Sequence, residues 1–190
     1  MGSKAHREIL KEATMPNWCT NSIEIGHKDR DILAAMTKKM RDCGICQAVI
    51  PLEEWSYDEA LTKWGTKWEL SVDDEVQFDG DEHWTEDIWE NGDNHWIGTF
   101  ANSAWGPPVE VYTALVEQGF SVKAWWWEPG CEVIGQFQTT DGMAVIDEWD
   151  DIRDFNANKD QDHVDSELVN FIEEDMWIFS DDLHEDQEIN

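Results

Sequence analysis

The segment from residue 79 to residue 90 carries potential ligands at the spacing of a calcium-binding loop. A twelve-residue frame has its positions 1, 3, 5, 7, 9 and 12 filled by Asp79, Asp81, His83, Thr85, Asp87 and Glu90. The sharp turn at position 6 requires glycine, but Trp84 stands there, and His83 is a poor calcium ligand. A second frame has Lys159 at that position and comprises Asp154, Asn156, Asn158, Asp160 and Asp162. We therefore predict no metal site and no cofactor, with a calcium-binding module as a minor alternative.

No motif in the sequence would assemble a catalytic site. It contains no Gly-rich phosphate loop, no Gly-x-Ser-x-Gly elbow and no His-Glu-x-x-His pair. Because the chain has 43 acidic residues, neighbouring carboxylates are almost unavoidable for its histidines, among them His83, His95, His163 and His184. Cys43 and Cys46 have the spacing of half a zinc or redox site, but no second pair follows, so we predict a helix-ending turn with buried thiols. The chain is predicted to be non-enzymatic, with no catalytic residue.

The net charge of −30 is the most unusual property of the sequence. Residues 1–70 contain ten basic and eleven acidic residues, whereas residues 71–190 contain three basic and 32 acidic residues. Such a charge argues against direct binding to nucleic acid or to an anionic membrane, and it favours a cationic partner. Adaptation to high salt would spread the acid over the whole surface, which the near-neutral first part contradicts.

The carboxylates that we predict to bind this partner lie in two blocks, an insert at 72–94 and an extension after residue 146. DNA carries about one charge per 1.7 Å of helix axis, and a basic groove that binds DNA also accepts carboxylates held on a rigid protein surface. The predicted partner-binding residues are Asp73, Asp74, Glu75, Asp79, Asp81, Glu82, Glu86, Asp87, Glu90, Asp93, Asp147, Glu148, Asp150, Asp151, Asp154, Glu173, Glu174 and Asp175.

The stretch 96–137 contains the clearest pattern of secondary structure. It predicts a strand at 96–104, a helix at 107–118 that begins at two prolines and ends before Gly119, a strand at 120–127, and a return strand at 131–137. Ahead of it, the sequence predicts a strand at 22–26, a helix from Asp29 to Arg41, a short apolar edge at 48–51, a surface helix or loop at 53–61 and a strand after Gly65.

The remaining segments are less regular. Residues 1–14 predict a polar extension, residues 72–94 an acidic loop or hairpin, and residues 143–149 a last strand or short helix. An amphipathic helix is predicted at 166–179, within an acidic extension that starts at residue 147. It is expected to pack on the sheet, with packing on a partner as the alternative. No apolar run approaches the roughly 18 residues of a membrane span, and we expect the protein to be cytoplasmic.

Four pieces of the chain resemble a known family. MPNWCTNSIEIG (15–26), KWGTKWEL (63–70), SAWGPP (103–108) and WEPGCEVIGQF (127–137) together resemble the YubB-like proteins of plasmids and phages, over about residues 15–137. The resemblance implies a ferredoxin-like α+β domain, taken here as 15–146, with an antiparallel sheet and its helices packed on one face. It also implies a mobile-element source and a family start at Met15, and it implies no catalytic residues.

Charge and resemblance together predict an inhibitor of a host nucleic-acid-binding defence protein. The inhibitor would mimic the charge of DNA or RNA, and its partner would be a basic restriction, CRISPR or recombination component. The alternative is an acidic adaptor that binds a basic partner without such mimicry.

Overall fold

The computed structural model describes residues 17–70 and 88–174, and these form a mixed α+β fold. The elements, in chain order, are β1 (Trp18–His27), α1 (Arg30–Cys43), α2 (Ile45–Val49), α3 (Tyr57–Trp64), β2 (Trp89–Asn91), β3 (Asn94–Ala104), α4 (Val109–Glu117), β4 (Ser121–Glu128), β5 (Val133–Thr140), β6 (Met143–Trp149) and α5 (Ile152–Asn158). A further helical segment at 166–174 is called α6. The predicted α+β class is confirmed.

The strands form one six-stranded sheet in the order β2-β3-β1-β4-β5-β6, with every neighbouring pair antiparallel. Strand β1 is central, with Trp18 opposite Ala104 of β3 and Thr20 opposite Trp127 of β4. The strands predicted at 22–26, 96–104 and 120–127 therefore lie in one sheet, as expected. The segment predicted as a last strand or short helix is β6, which lies at one edge of the sheet formed by the described strands.

The first face of the sheet is covered by α1 to α4. Leu33 of α1 and Leu115 of α4 pack in one cluster with Ile23 of β1 and Trp126 of β4. Asp29 caps α1 through its side chain, which accepts hydrogen bonds from the first backbone amides of the helix. The two long helices predicted from the sequence thus exist, close to the predicted bounds.

The second face of the sheet is also covered. The prediction of helices on one face is therefore incomplete, whereas the segment predicted as a helix at 166–179 packs on the sheet through Leu168 and Ile172, one of its two predicted placements. Three consecutive tryptophans in β4 explain the difference, because successive side chains of a strand point to opposite faces. Trp126 enters the first core, whereas Trp125 and Trp127 join a second cluster with Phe155 of α5 and with residues of α6. The acidic extension therefore supplies the second layer of this sheet.

The strand predicted after Gly65 is not formed, since residues 65–70 are irregular. Gly65 ends α3 in a left-handed conformation, with φ 77°. The Thr66 hydroxyl donates to the Ala104 carbonyl and accepts from the Ala104 amide, both at 3.1 Å. The Glu69 carboxylate accepts from two backbone amides at the start of α2, at 2.7 and 2.9 Å. Side-chain bonds to neighbouring elements take the place of a strand ladder here.

The predicted apolar edge at 48–51 is wrong in type, because residues Ile45–Val49 form helix α2. Gly44, with φ 95°, separates it from α1, so the predicted helix-ending turn is present. Cys46 is buried in the core, but Cys43 is exposed, and only one of the two predicted buried thiols is therefore inside the protein.

The acidic insert is described only at its end, where β2, Gly92 and Asp93 form a hairpin with β3. Residues 1–16, 71–87 and 175–190 lie outside the described residues, and with them most of the insert, the N-terminal extension and the end of the helix predicted at 166–179. Among the described helices, none has the length and apolar character required to cross a membrane.

Candidate functional site

Nine of the predicted partner-binding carboxylates lie within the described residues. Glu90 and Asp93 are exposed in the β2–β3 hairpin, whereas the other seven lie on β6, α5, α6 and their connections: Asp147, Glu148, Asp150, Asp151, Asp154, Glu173 and Glu174. Those outside the described residues are Asp73, Asp74, Glu75, Asp79, Asp81, Glu82, Glu86, Asp87 and Asp175.

The structure separates the two groups of carboxylates. β2 and β6 are the opposite edges of a six-stranded sheet, and adjacent strands lie about 4.8 Å apart, so the groups stand on the order of 24 Å from each other. The seven C-terminal carboxylates form the denser group. We call the surface formed by β6, α5 and α6 the acidic edge.

The acidic edge contains very few cations. Between residues 128 and 174 the sequence has fourteen acidic residues against two basic residues, Arg153 and Lys159. Lys159 pairs with Glu173. The side chains of Glu148, Asp150 and Glu174 are exposed, so the surface presents a nearly unbroken negative field to solvent.

Two of the predicted residues also have local structural roles. Asp151 caps α5, because its carboxylate accepts from the amides of Arg153 and Asp154 at 2.7 and 2.9 Å. The hydrogen bonds from these two amides lower the pKa of Asp151. Asp147 accepts a hydrogen bond at 2.9 Å from the amide of Gln136 on β5. These contacts fix the carboxylates in place on the fold.

A polar network that sequence reasoning missed attaches the acidic edge to the sheet. Buried Gln136 donates to Asp147 and to the His163 carbonyl, at 2.9 and 2.7 Å, and accepts from the Asp165 amide at 2.8 Å. The buried Asp165 carboxylate lies 3.1 Å from the Lys123 ammonium of β4. The one signal in the sequence was Lys123 itself, the sole basic residue between residues 68 and 152.

The pKa values of Glu24 and Lys123 are both raised in this network. Burial raises the pKa of Glu24, which lies opposite Lys123 in the sheet, although the ammonium lowers it. Burial lowers the pKa of Lys123, but the hydrogen bond and charge of Asp165, together with Glu24 and Glu167, raise it overall. Lys123 is thus a cation held by several carboxylates beneath the acidic edge.

The edge strand β6 exposes apolar side chains next to these carboxylates. Met143, Val145 and Ile146 are 66%, 43% and 43% exposed. Asp147 and Glu148 follow them directly in the same strand. An exposed apolar edge strand is a surface on which another protein chain can pack or pair.

The candidates for metal and acid–base chemistry are dispersed in the structure. Within the described residues no three His, Cys, Asp or Glu side chains are grouped so as to hold a metal ion. The second calcium frame begins inside α5, where Asp154, Asn156 and Asn158 are helical and do not form a loop. The first frame, at 79–90, lies almost wholly outside the described residues.

The described histidines and buried thiols do not form a catalytic pair. His95 Nδ1 lies 3.6 Å from Glu90 Oε1 in the hairpin, whereas the other described histidine candidate, His163, accepts a hydrogen bond from Gln136 through its carbonyl. Burial raises the pKa of Cys19 to about 12, and it also raises that of Cys46, so both thiols stay protonated at neutral pH.

Comparisons of the chain with protein-family models, with curated proteins and with solved structures find no match.

Proposed function

We propose that this protein binds a basic nucleic-acid-binding protein through its acidic edge and thereby blocks the groove in which that partner holds nucleic acid. Carboxylates fixed on a strand and two short helices are preorganised for such a groove, since Asp147 and Asp151 already accept hydrogen bonds from the fold. The dense negative charge steers a cationic partner and gives the complex a steep salt dependence.

The observation that carries the proposal is the combination of charge and apolar surface on β6. A surface that is acidic only for solubility has no need of exposed apolar side chains in its middle. Met143, Val145 and Ile146 offer apolar contact area beside Asp147 and Glu148. Protein interfaces combine a partly apolar centre with a charged surround in this way.

The order of the strands supports a ferredoxin-like assignment for the sheet. The order β2-β3-β1-β4, with helices between β1 and β2 and between β3 and β4, matches the βαββαβ arrangement, and β5 and β6 extend it. Together with the resemblance to YubB-like proteins, this favours a mobile-element protein that acts without catalysis in the cytoplasm of a bacterial host, as an anti-defence factor.

The proposal is tested by affinity capture from a bacterial lysate with a matched pair of variants. The first variant, Glu148→Gln with Asp150→Asn and Glu174→Gln, removes three exposed charges from the acidic edge. The control, Asp31→Asn with Asp42→Asn and Glu117→Gln, removes three exposed charges from α1 and α4. A basic protein retained by the native chain and by the control, but released from the first variant at lower salt, supports the acidic edge as the binding surface.

Mimicry is then tested with the captured protein itself. Duplex DNA or structured RNA is titrated into the purified complex, and displacement is measured at fixed ionic strength. Competition supports occupation of the nucleic-acid groove. Simultaneous binding of DNA and this protein would refute mimicry and favour the adaptor function, for which the apolar part of β6 is the supporting feature.

A further inference from the structure

Four aromatic side chains and one lysine form a cluster at the end of the sheet opposite to the β2–β3 turn. The Lys67 ammonium lies 4.4 Å from the ring centre of Trp68, 4.9 Å from that of Trp105 and 5.8 Å from that of Tyr57. Trp18 packs on Trp68, with ring centres 6.1 Å apart. We call this group the aromatic cage.

Two rings of the cage, Tyr57 and Trp105, are partly exposed to solvent, and the backbone of Trp105 is strained. Tyr57 and Trp105 contact each other edge to face, with ring centres 5.9 Å apart, yet each remains about 40% exposed. Trp105 has φ 78°, a left-handed conformation that is rare for a bulky residue and costs on the order of 1–3 kcal/mol. Glycine would adopt this backbone without strain. A tryptophan that is both strained and exposed indicates that its ring is needed.

Lys67 shows that the rings of the cage accept a cation. Within the described residues, no carboxylate forms an ion pair with Lys67, in a chain of net charge −30. Its ammonium instead lies against three aromatic rings, whose faces attract cations. A cation is therefore the native occupant of this site, and the chain itself supplies it.

The surroundings of the cage favour a cation from outside the chain as well. Glu53, Glu54 and Asp58 are exposed and adjoin Trp55 and Tyr57 in sequence. The register of the sheet also aligns the residues next to the cage with the end of β6 in the acidic edge. The successive partners across four strands are Thr20, Trp127, Ile134 and Trp149. One basic surface can therefore reach both features.

We propose that the aromatic cage binds an arginine side chain of the basic partner, and that Lys67 occupies the cage until the arginine replaces it. A planar guanidinium stacks on Trp and Tyr rings and is more weakly hydrated than an ammonium, so it replaces lysine favourably. That the arginine belongs to the partner rests on the proposed function above. The preference of the cage for a guanidinium does not rest on it.

The test uses the full chain and a small probe, N-acetyl-arginine methylamide, with binding followed by the indole N–H signals of Trp68 and Trp105 in NMR spectra. Lys67→Met removes the internal cation and keeps the length of the side chain. This variant should bind the probe at least about 5-fold more tightly than the native chain, because no side chain then competes for the rings. Lys63→Met is the matched control, since Lys63 pairs with Glu59 outside the cage and its loss should leave probe affinity unchanged.

A second variant separates binding from folding. Trp105→Gly, combined with Lys67→Met, should abolish the probe-induced shift of the Trp68 indole signal without lowering the unfolding midpoint, because glycine relieves the strained backbone. Equal probe affinity in the native and Lys67→Met chains would overturn the inference, and so would probe binding that survives the loss of Trp105. If the probe fails while the acidic-edge variants still release the captured protein, the cage inference alone is wrong. If the probe binds and no partner depends on the acidic edge, the proposed function is wrong.

Discussion

The first face of the sheet has a large apolar core, and the second face has a small one with a polar network beside it. Among the described residues, twenty-three buried ones form the first cluster under α1 to α4, whereas seven form the second under α5 and α6. On the second face, Lys123, Asp165 and Gln136 add hydrogen bonds and an ion pair to the apolar contacts. The first face therefore combines a large apolar core with a neutral buried network of Asn21, Ser103 and Tyr112, whereas the second combines a small core with a charged pair.

This difference follows from the charge that the second layer carries. Mutual repulsion among the carboxylates of the acidic edge opposes the packing of α5 and α6 on the sheet. Phe155, Leu168 and Ile172 are fully buried and counter this repulsion by removing apolar surface from water. The network then fixes the orientation of the segment, so that its carboxylates are presented from a defined surface.

The largest expected effect comes from the residue that fills the first core. Trp126 is fully buried, and its indole packs against Gly135. Any larger residue at position 135 would clash with this ring. Trp126→Ala should lower the free energy of unfolding by about 3–5 kcal/mol, measured by denaturant titration. Trp18→Ala, at an exposed position on β1, is the control and should cost far less. Equal losses in the two variants would remove the distinction between this core and the surface.

The second core should respond locally to the corresponding change. Phe155 is fully buried against Trp149, with ring centres 5.1 Å apart. Phe155→Ala should cost about 3 kcal/mol and increase amide exchange in α5 and α6 more than in β1 or β3. Hydrogen exchange with mass spectrometry measures this pattern. A uniform loss of protection over the whole sheet would mean that the two faces unfold as one unit.

The sequence predicted the first face better than the second because local signals mark its elements. The two prolines before Val109, the cap at Asp29 and glycine at Gly44 each correspond to an observed helix end. Asn21, near the start of β1, donates from its amide to the carbonyl of Cys19, two residues before it, at 2.8 Å. Such signals act over a few residues and are visible in one sequence.

The missed features depend on contacts between distant residues. Thr66 bonds to Ala104 across 38 residues, which no local alternation predicts, and this contact replaced a predicted strand. Lys123 and Asp165 are likewise 42 positions apart, and they meet only when α6 packs on the second face. The acidic residues were visible in the sequence, but their division between opposite edges follows from the strand order alone.

The network should contribute less than either core. Asp165→Asn leaves Lys123 without the carboxylate 3.1 Å from its ammonium, and we expect a loss of about 1–2 kcal/mol after allowance for the partial exposure of the lysine. The loss should appear mainly in the protection of α6, in the same exchange experiment. Asp162→Asn, at an exposed position nearby in sequence, is the control and should have almost no effect. An unchanged α6 would show that the apolar cluster alone holds the acidic edge.

The smallest effect, and the one with a defined sign in pH, concerns Glu24. Burial raises its pKa above the ordinary value of 4.5. The Lys123 ammonium offsets part of this rise, and Glu167 and Asp165 add to it. A carboxyl group whose pKa is raised by folding stabilises the folded state fully below its unfolded pKa, and this contribution is lost as the pH rises through the folded pKa.

Glu24→Gln removes the ionisation, so at pH 7 it should raise the free energy of unfolding, by less than about 1 kcal/mol because the group is partly exposed to solvent. The gain should shrink as the pH falls toward 4.5, where native Glu24 is itself protonated. Parallel denaturant titrations of both chains from pH 7 to pH 4 measure this difference. A loss of stability at pH 7 that fades on acidification would instead mean that Glu24 stabilises the second face as an anion paired with Lys123.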